Sequence, residues 1–200
     1  MSTAINPEGN GANYTRDSRG NITAATVTPK SGSTNLVSTA SYPSSCSNIK
    51  TCNKPDYVVD PGNNRTDYTY DSTHGGVLTE TGPADANGVH PVKRYAYAQR
   101  YAWIKNSGGT YSQVSTPVWV LTEERYCRTS ATVSGACAAG SSDEVVTAYD
   151  YGPNSGPNNL LLRGVAVTAD SQTRRTCYGY DRDGNRISET KPRAGLTSCP

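Results

Sequence analysis

Cysteine is the residue type in this chain whose spacing says most about chemistry. The six cysteines fall into three pairs of near neighbours, and an even count with short separations favours disulfide bonds and an oxidising compartment. Zinc is the competing interpretation, but no Cys-x-x-Cys motif occurs and neither histidine is close in sequence to a pair. We therefore expect disulfides and no metal site, with free thiols as the open alternative. The candidate pairs are Cys46 with Cys52, Cys127 with Cys137, and Cys177 with Cys199.

Sequence does not fix the connectivity of six cysteines. The segment between Cys127 and Cys137 is rich in turn-forming residues, which brings its ends within disulfide range, and the same reasoning applies to Cys46 and Cys52. The turn argument does not extend to Cys177 and Cys199, which are a candidate pair by their separation alone. All three bonds would close short local loops.

Other residues with catalytic potential do not form a recognisable site. His74 and His90 lie in glycine- and proline-rich turns without a Ser or Cys nucleophile signature nearby. The acidic neighbours Glu123 and Glu124, like Asp143 and Glu144, would point to opposite faces of a strand rather than into one cleft. We expect no enzyme activity and no cofactor.

An acidic turn near the C-terminus has part of the pattern of a calcium loop. When Asp183-Gly184 is aligned with the central Asp-Gly of such a loop, Gly179 occupies the position of the first ligand. The spacing therefore excludes an EF-hand loop. A looser cation site at these residues is left open.

Composition indicates a thin sheet rather than a thick core. Hydrophobic residues make up 34% of the 200 residues, mean hydropathy is −0.65, and there are 14 Tyr but no Phe. Tyrosine covers apolar area with its ring while its hydroxyl reaches water or backbone, which suits a half-wet surface. The 19 Gly and 12 Pro are scattered along the chain and predict frequent turns between short strands.

Charge and hydropathy exclude two classes of partner. The net charge of +2 comes from basic and acidic residues that alternate without a basic block, so nucleic acid is not an expected partner. Leu160 to Leu162, like every other apolar run in the chain, is too short to span a membrane. The N-terminus has no signal-peptide core, so any export signal is expected outside this chain.

An internal repeat is the most informative pattern in the sequence. Its unit is an aromatic strand, an Asp that begins a turn, a Gly, and a second strand that ends in Thr or Glu. Two copies, which begin at Tyr14 and Tyr178, are similar in sequence, and a third is less similar. A fourth, at Tyr149-Asp150-Tyr151-Gly152, runs into a longer loop. The key positions of the first three copies are Tyr14, Asp17 and Gly20; Tyr68, Tyr70 and Asp71; and Tyr178, Tyr180, Asp181 and Gly184.

Each copy predicts one β-hairpin. Asp bonds the turn backbone with its carboxylate, and Gly adopts the positive φ that closes the reversal. Strict alternation of Tyr or Trp with Ala predicts a further strand over 95–104, and no segment has a convincing helical period. The predicted fold is all-β, with stacked antiparallel β-hairpins forming a curved, elongated repeat sheet; its strands are expected near 95–104, 110–121, 160–168, 173–181 and 185–190.

These residues resemble the RHS or YD repeats of bacterial secreted and cell-surface proteins. The resemblance rests on Tyr-x-Tyr-Asp followed by Gly-Asn and on the lead-in 53–71, and it extends from about Tyr14 to the end of the chain. It implies a β-hairpin repeat region over 14–200, preceded by a flexible polar arm at 1–13. Asp60-Pro61-Gly62 is similar to part of the self-cleavage motif of that family, but we interpret it as a turn.

The resemblance also implies a function. In that family the hairpins form a shell that encloses a C-terminal toxin, so the expected role is a segment of such a wall, secreted or at the cell surface. Expected partners are adjoining repeats of the parent protein and an enclosed toxin domain. The alternative is an extracellular carbohydrate-binding or adhesive module, in which an exposed aromatic stripe stacks on sugar rings; the stripe consists of Tyr95, Tyr97, Tyr101 and Trp103. Packing of the stripe against a neighbouring hairpin is the interpretation we favour.

Overall fold

The computed structural model describes residues 2–30, 34–194 and 196–199, and almost all regular structure in it is β-strand. The chain divides into two compact units, residues 1–90 and 91–200. Each unit consists of antiparallel strands joined mostly by short turns, so the predicted all-β hairpin fold is confirmed. The two units are described separately below.

The first unit is a meander in which each strand pairs with the next one in sequence. Alanine, threonine, valine and tyrosine predominate in its strands, and β-branched and aromatic side chains favour a pleated, half-buried surface. Its strands are β1 (Ser2–Ile5), β2 (Gly11–Arg16), β3 (Ile22–Thr28), β4 (Leu36–Ser41), β5 (Tyr57–Val59), β6 (Arg65–Tyr70) and β7 (Val77–Thr81).

The second unit contains a long hairpin followed by shorter ones, with strand order β8-β9-β12-β13-β14-β15. A small β10–β11 hairpin and a single 3₁₀ turn (Ser141–Asp143) lie in the connection between β9 and β12. The strand β16 pairs with β14. The strands are β8 (Val92–Lys105), β9 (Tyr111–Cys127), β10 (Thr132–Val133), β11 (Ala136–Cys137), β12 (Glu144–Tyr151), β13 (Leu162–Ala169), β14 (Gln172–Tyr180), β15 (Arg186–Glu189) and β16 (Arg193–Ala194).

The N-terminal segment differs from the sequence-based expectation. The sequence predicts a flexible polar arm at 1–13, but β1 and the first half of β2 form a hairpin with Ser2 opposite Tyr14 and Ile5 opposite Gly11. Asn6 closes this hairpin: its N–H donates to the Asn10 carbonyl at 2.8 Å, and its own carbonyl accepts from Gly9 at 2.9 Å. The segment is therefore an edge strand of the first unit.

Neither unit has a conventional apolar core. Six apolar side chains are buried in the described residues. Two of them are Val145 and Ala166, and the other four are cysteines in disulfide bonds: Cys52, Cys127, Cys137 and Cys177. Disulfides and hydrogen bonds must therefore replace much of the stabilisation that a core would supply.

Candidate functional site

The repeat motif folds into a turn with one hydrogen-bond pattern, which we call the Asp turn. In residues 17–21, the Asp17 N–H donates to the Asn21 carbonyl at 3.0 Å, and the Asp17 carbonyl accepts from Gly20 at 3.1 Å. The Asp17 carboxylate accepts from the N–H groups of Arg19 and Asn21, both at 2.9 Å, and from the Asn21 side-chain amide at 2.8 Å. Gly20 has φ +88°, a conformation that favours glycine.

Residues 181–185 repeat this geometry. Asp181 makes the same two backbone bonds, and its carboxylate accepts from the N–H groups of Asp183 and Asn185 at 2.9 Å and from the Asn185 amide at 3.0 Å. The hydrogen bond from the Asn185 side-chain amide is the largest cause of the lowered pKa of Asp181. Both oxygens of this carboxylate are thus committed to the turn, so it offers poor ligands to the cation left open in the sequence analysis.

Residues 60–64 form a third Asp turn. Asp60 accepts from the Asn64 N–H at 2.9 Å and from its side-chain amide at 3.0 Å, and Asn63 takes the left-handed position with φ 62°. The sequence predicted a turn at Asp60-Pro61-Gly62 but did not identify it as a copy of the repeat, because Asn63, rather than glycine, occupies the fourth position.

The two looser copies differ from the Asp turn. At Asp71 the turn is one residue longer, because the Asp71 N–H donates to Gly76, and His74 fills the added position with its Nδ1 accepting from the Gly76 N–H at 3.0 Å. Asp150 lies within β12 and ion-pairs with Arg175, so the fourth copy is not a hairpin turn.

All three cysteine pairs form disulfides, with Cα–Cα separations of 4.9 Å (Cys46–Cys52), 5.5 Å (Cys127–Cys137) and 5.5 Å (Cys177–Cys199). The expectation of local disulfides is confirmed. Such bonds fit an extracytoplasmic protein.

The first disulfide closes a loop that crosses the ends of two neighbouring hairpins. The Arg19 guanidinium of the first Asp turn donates to the Cys52 carbonyl of this loop at 3.4 Å and to the Pro43 carbonyl just before the loop at 2.5 Å. On the other side, the Asn48 amide of the loop donates to the Ser72 carbonyl at 2.8 Å, and the Lys50 ammonium bonds the Thr73 carbonyl. The loop therefore fastens the β2–β3 turn and the β6–β7 turn to each other.

The second disulfide lies beside a buried carboxylate. Asp143 accepts hydrogen bonds from the Ser130 hydroxyl at 2.5 Å, the Thr129 hydroxyl at 2.8 Å, and both backbone N–H groups at 3.0 Å. These bonds, the Ser130 hydroxyl foremost, lower the pKa of Asp143 to about 2. Cys127, Cys137 and Asp143 lie close enough together to bind one metal ion, but the two sulfurs are bonded to each other and supply no thiolate ligand.

The remaining candidates for chemistry have structural contacts. Glu144 bridges two arginines, with 2.7 Å to Arg94 and 3.1 Å to Arg125, and Arg125 also pairs with Glu123. Glu124 lies opposite Tyr95 and is 3.9 Å from Lys93. The neighbouring glutamates therefore have different partners and do not converge on one cleft. His90 Nδ1 lies 2.8 Å from the Gly82 carbonyl.

The aromatic stripe lies along β8, and all four of its side chains are half-buried. Two bulges interrupt the pairing of β8 with β9, but their extra residues are on β9, so β8 keeps its alternation. The four stripe residues therefore share one face of β8. The indole nitrogen of Trp103 is buried and has no hydrogen-bond acceptor within the described part of the chain.

Trp119 extends the stripe and was missed in the sequence analysis. It pairs with Gln99, between Tyr97 and Tyr101 on the same face of the sheet, and it is 38% exposed. Its position could have been read from the alternation of Pro117, Trp119 and Leu121 in the β9 sequence. The combined aromatic face (the stripe with Trp119) is neither fully packed nor fully exposed.

Comparison with known proteins does not assign the chain to a family. No protein-family model matches the chain, and no curated protein matches it. Among solved structures, it is similar to a porin-like protein from Bacteroides uniformis ATCC 8492, with 13% identity and a TM-score of 0.38 over 90% of this chain. The chain spans 58% of the length of that protein. Within the described residues, no helix has the length and apolar character needed to cross a membrane.

Proposed function

We propose that this chain is a structural repeat segment of a secreted or cell-surface protein similar to the RHS or YD family, and that it forms part of a wall around a C-terminal toxin or effector domain. The observation that carries the proposal is the absence of a packed core in the described residues, where four of six buried apolar side chains are disulfide cysteines. A sheet whose two faces are both partly exposed to solvent is suited to form a wall between two compartments, and it is less suited to form a free-standing globular domain.

The way the hairpins are fastened supports the same role. Asp turns close three hairpins with carboxylates fully engaged by local donors, and the Cys46–Cys52 loop ties two turns together at one end of the first unit. Binding sites usually leave polar groups available to a ligand, whereas these groups are used within the protein. The proposed partners are adjoining hairpins of the parent protein and an enclosed domain, with no cofactor and no catalytic residue.

Protease protection in the parent protein tests the proposal. If the chain is wall, the C-terminal effector region of the intact parent should resist a protease that degrades the same region when it is expressed alone. Replacing Cys46 and Cys52 by alanine should open the wall and accelerate cleavage, while Ser45→Ala leaves protection unchanged. Equal cleavage rates for enclosed and isolated effector regions would contradict the wall.

A carbohydrate-binding module is the second candidate, and the exposure of Trp119 favours it specifically. An indole on the same face as Tyr97 and Tyr101 resembles the platforms on which proteins stack sugar rings. In this case Trp119→Ala should abolish binding to a glycan array and leave the melting temperature unchanged. A wall segment should show no glycan signal before or after the substitution.

A further inference from the structure

The three disulfides differ in how easily a thiol in solution can reach them. Cys46 is exposed, although its partner Cys52 is buried. Both cysteines of the second pair are buried, with 7% exposure each. In the third pair Cys177 is buried, and the sulfur of the half-buried Cys199 packs against Gly164, where an added Cβ would lie 2.6 Å from it. Of the six cysteines, all of which the structure describes, Cys46 is the exposed one.

The charges around the first pair favour its reduction. Residues 42–55, which include the disulfide loop, carry Lys50 and Lys54 and no acidic side chain. The Arg19 guanidinium lies 3.4 Å from the Cys52 carbonyl oxygen. Cations beside a cysteine stabilise its thiolate, and a thiolate is the leaving group when a disulfide is reduced. The buried partner of the first pair can therefore leave as a stabilised anion.

The second pair has the opposite electrostatic environment. A carboxylate oxygen of Asp143 lies within 4.8 Å of both sulfurs. Because Asp143 is buried, solvent screens its charge little. A negative charge at this distance disfavours the thiolate that reduction must release. Burial and charge thus both protect the Cys127–Cys137 bond.

Opening the first disulfide has a local structural consequence. Its loop, residues 46–52, is held in shape by the bond and by the Cys52 N–H, which donates to the Asn48 carbonyl at 2.9 Å. The loop packs tightly on the β6–β7 turn, since a Cβ at Gly75 would lie 2.6 Å from the Lys50 carbonyl oxygen. The hairpins β2–β3 and β6–β7 have their own strand pairing, which does not involve this loop. Opening the loop therefore loosens the fastening between the turns and leaves the ladders in place.

We propose that Cys46–Cys52 is a reducible clasp: a thiol reductant opens it before the other two disulfides, and its opening frees the β2–β3 and β6–β7 turns from each other while the sheet stays folded. A thiolate of a dithiol reductant attacks the exposed Cys46 sulfur, the S–S bond breaks, and Cys52 leaves as a thiolate that takes up a proton. The second thiol of the reductant then displaces Cys46, which also takes up a proton, and the reductant becomes a disulfide. Two electrons and two protons pass to the protein.

The clasp links the state of the first unit to its compartment. It is closed where disulfides persist and opens where thiols are abundant, while the two protected disulfides remain. This behaviour is independent of whether the chain is wall or adhesin.

Timed reduction of the purified, oxidised chain by dithiothreitol in native buffer tests the proposal. Samples are quenched by alkylation, and peptide mass spectrometry gives the alkylated fraction at each cysteine. Cys46 and Cys52 should be alkylated at least about tenfold faster than the other four cysteines, because access and the leaving thiolate set the rate of exchange. The same experiment in concentrated urea is the control: with the sheet unfolded, the difference between the pairs should largely disappear.

Hydrogen exchange of the chain reduced and alkylated at the first pair gives the structural readout. The amides of Cys52 and Gly75 should lose protection, whereas those of the β13–β14 hairpin should keep it. The double variant Cys46→Ala and Cys52→Ala should give the same pattern without reductant, and Ser45→Ala is the matched control with unchanged exchange.

Three results would overturn the clasp. The first is simultaneous reduction of all three bonds, or earlier reduction of either other pair. The second is an opened loop in which Cys52 and Gly75 remain protected. The third is loss of protection in β13–β14 on opening of the first bond, since the sheet would then depend on it.

Discussion

The disulfides should provide a share of stability comparable to that of the core in an ordinary domain. The three bonds close sequence separations of 6, 10 and 22 residues. Loop-closure entropy then gives about 2.2, 2.7 and 3.4 kcal/mol at 25 °C, or about 8 kcal/mol together. Whole domains are stable by only about 5–15 kcal/mol. We therefore predict that full reduction unfolds the chain in native buffer.

Paired substitutions resolve this prediction bond by bond. Replacing both cysteines of one pair by alanine should lower the free energy of unfolding in the order of loop size, with Cys177 and Cys199 the most costly pair and Cys46 and Cys52 the least. The assay is urea denaturation followed by the circular dichroism of the sheet, with Ser45→Ala as a control of unchanged stability. A packing loss adds to every pair, because Cys52, Cys177 and both cysteines of the Cys127–Cys137 pair are buried.

Two results would refute this reasoning. A reduced chain that still unfolds cooperatively, with stability within about 1 kcal/mol of the oxidised form, would show that hydrogen bonds and half-buried side chains suffice. Losses that do not follow loop length would show that the bonds act through native contacts rather than through the unfolded chain.

Three further predictions concern turns, pH and the stripe. Gly20→Ala should lower the free energy of unfolding by about 1 kcal/mol through its positive φ alone, since nothing lies near its Cβ position. Gly75→Ala should lower it by at least about 2 kcal/mol, because the added Cβ would lie 2.6 Å from the Lys50 carbonyl oxygen; urea denaturation of both variants measures the difference. The pKa of Asp143 is lowered to about 2, so the contribution of its carboxylate to folding stability is complete above the unfolded pKa near 4 and is lost as pH falls towards 2. Melting temperatures measured at pH 7, 4, 3 and 2 should fall accordingly, and they should depend less on pH in Asp143→Asn. Trp103→Ala should destabilise by about 2–3 kcal/mol, because a half-buried indole covers about 100 Å², and should change no glycan binding; an unchanged melting temperature with lost binding would favour the adhesin.

The hairpins were predictable where local chemistry alone determines them. Strands expected at 160–168 and 173–181 are β13 and β14, and their turn has Asp170 and Ser171 at φ 51° and 60°, as a two-residue hairpin requires. The β8 strand followed from its alternation of aromatic residues and alanine. Local disulfides followed from cysteine spacing.

Features that depend on distant partners were not predictable. The β9 strand continues to Cys127 rather than ending near 121, because β12 pairs with it from Glu123 to Cys127. The bulges that set the register of β8 against β9 depend on both strands at once. The β1–β2 hairpin was missed because Asn6, rather than an Asp after an aromatic strand, begins its turn.

An experimental structure of the parent protein is the most direct test of the proposed wall. We predict that the strands of this chain continue into further hairpins of the same sheet, with one face towards an internal chamber that holds the C-terminal domain and the other towards solvent. A parent structure in which both faces of this sheet meet solvent and no chamber is enclosed would contradict the account.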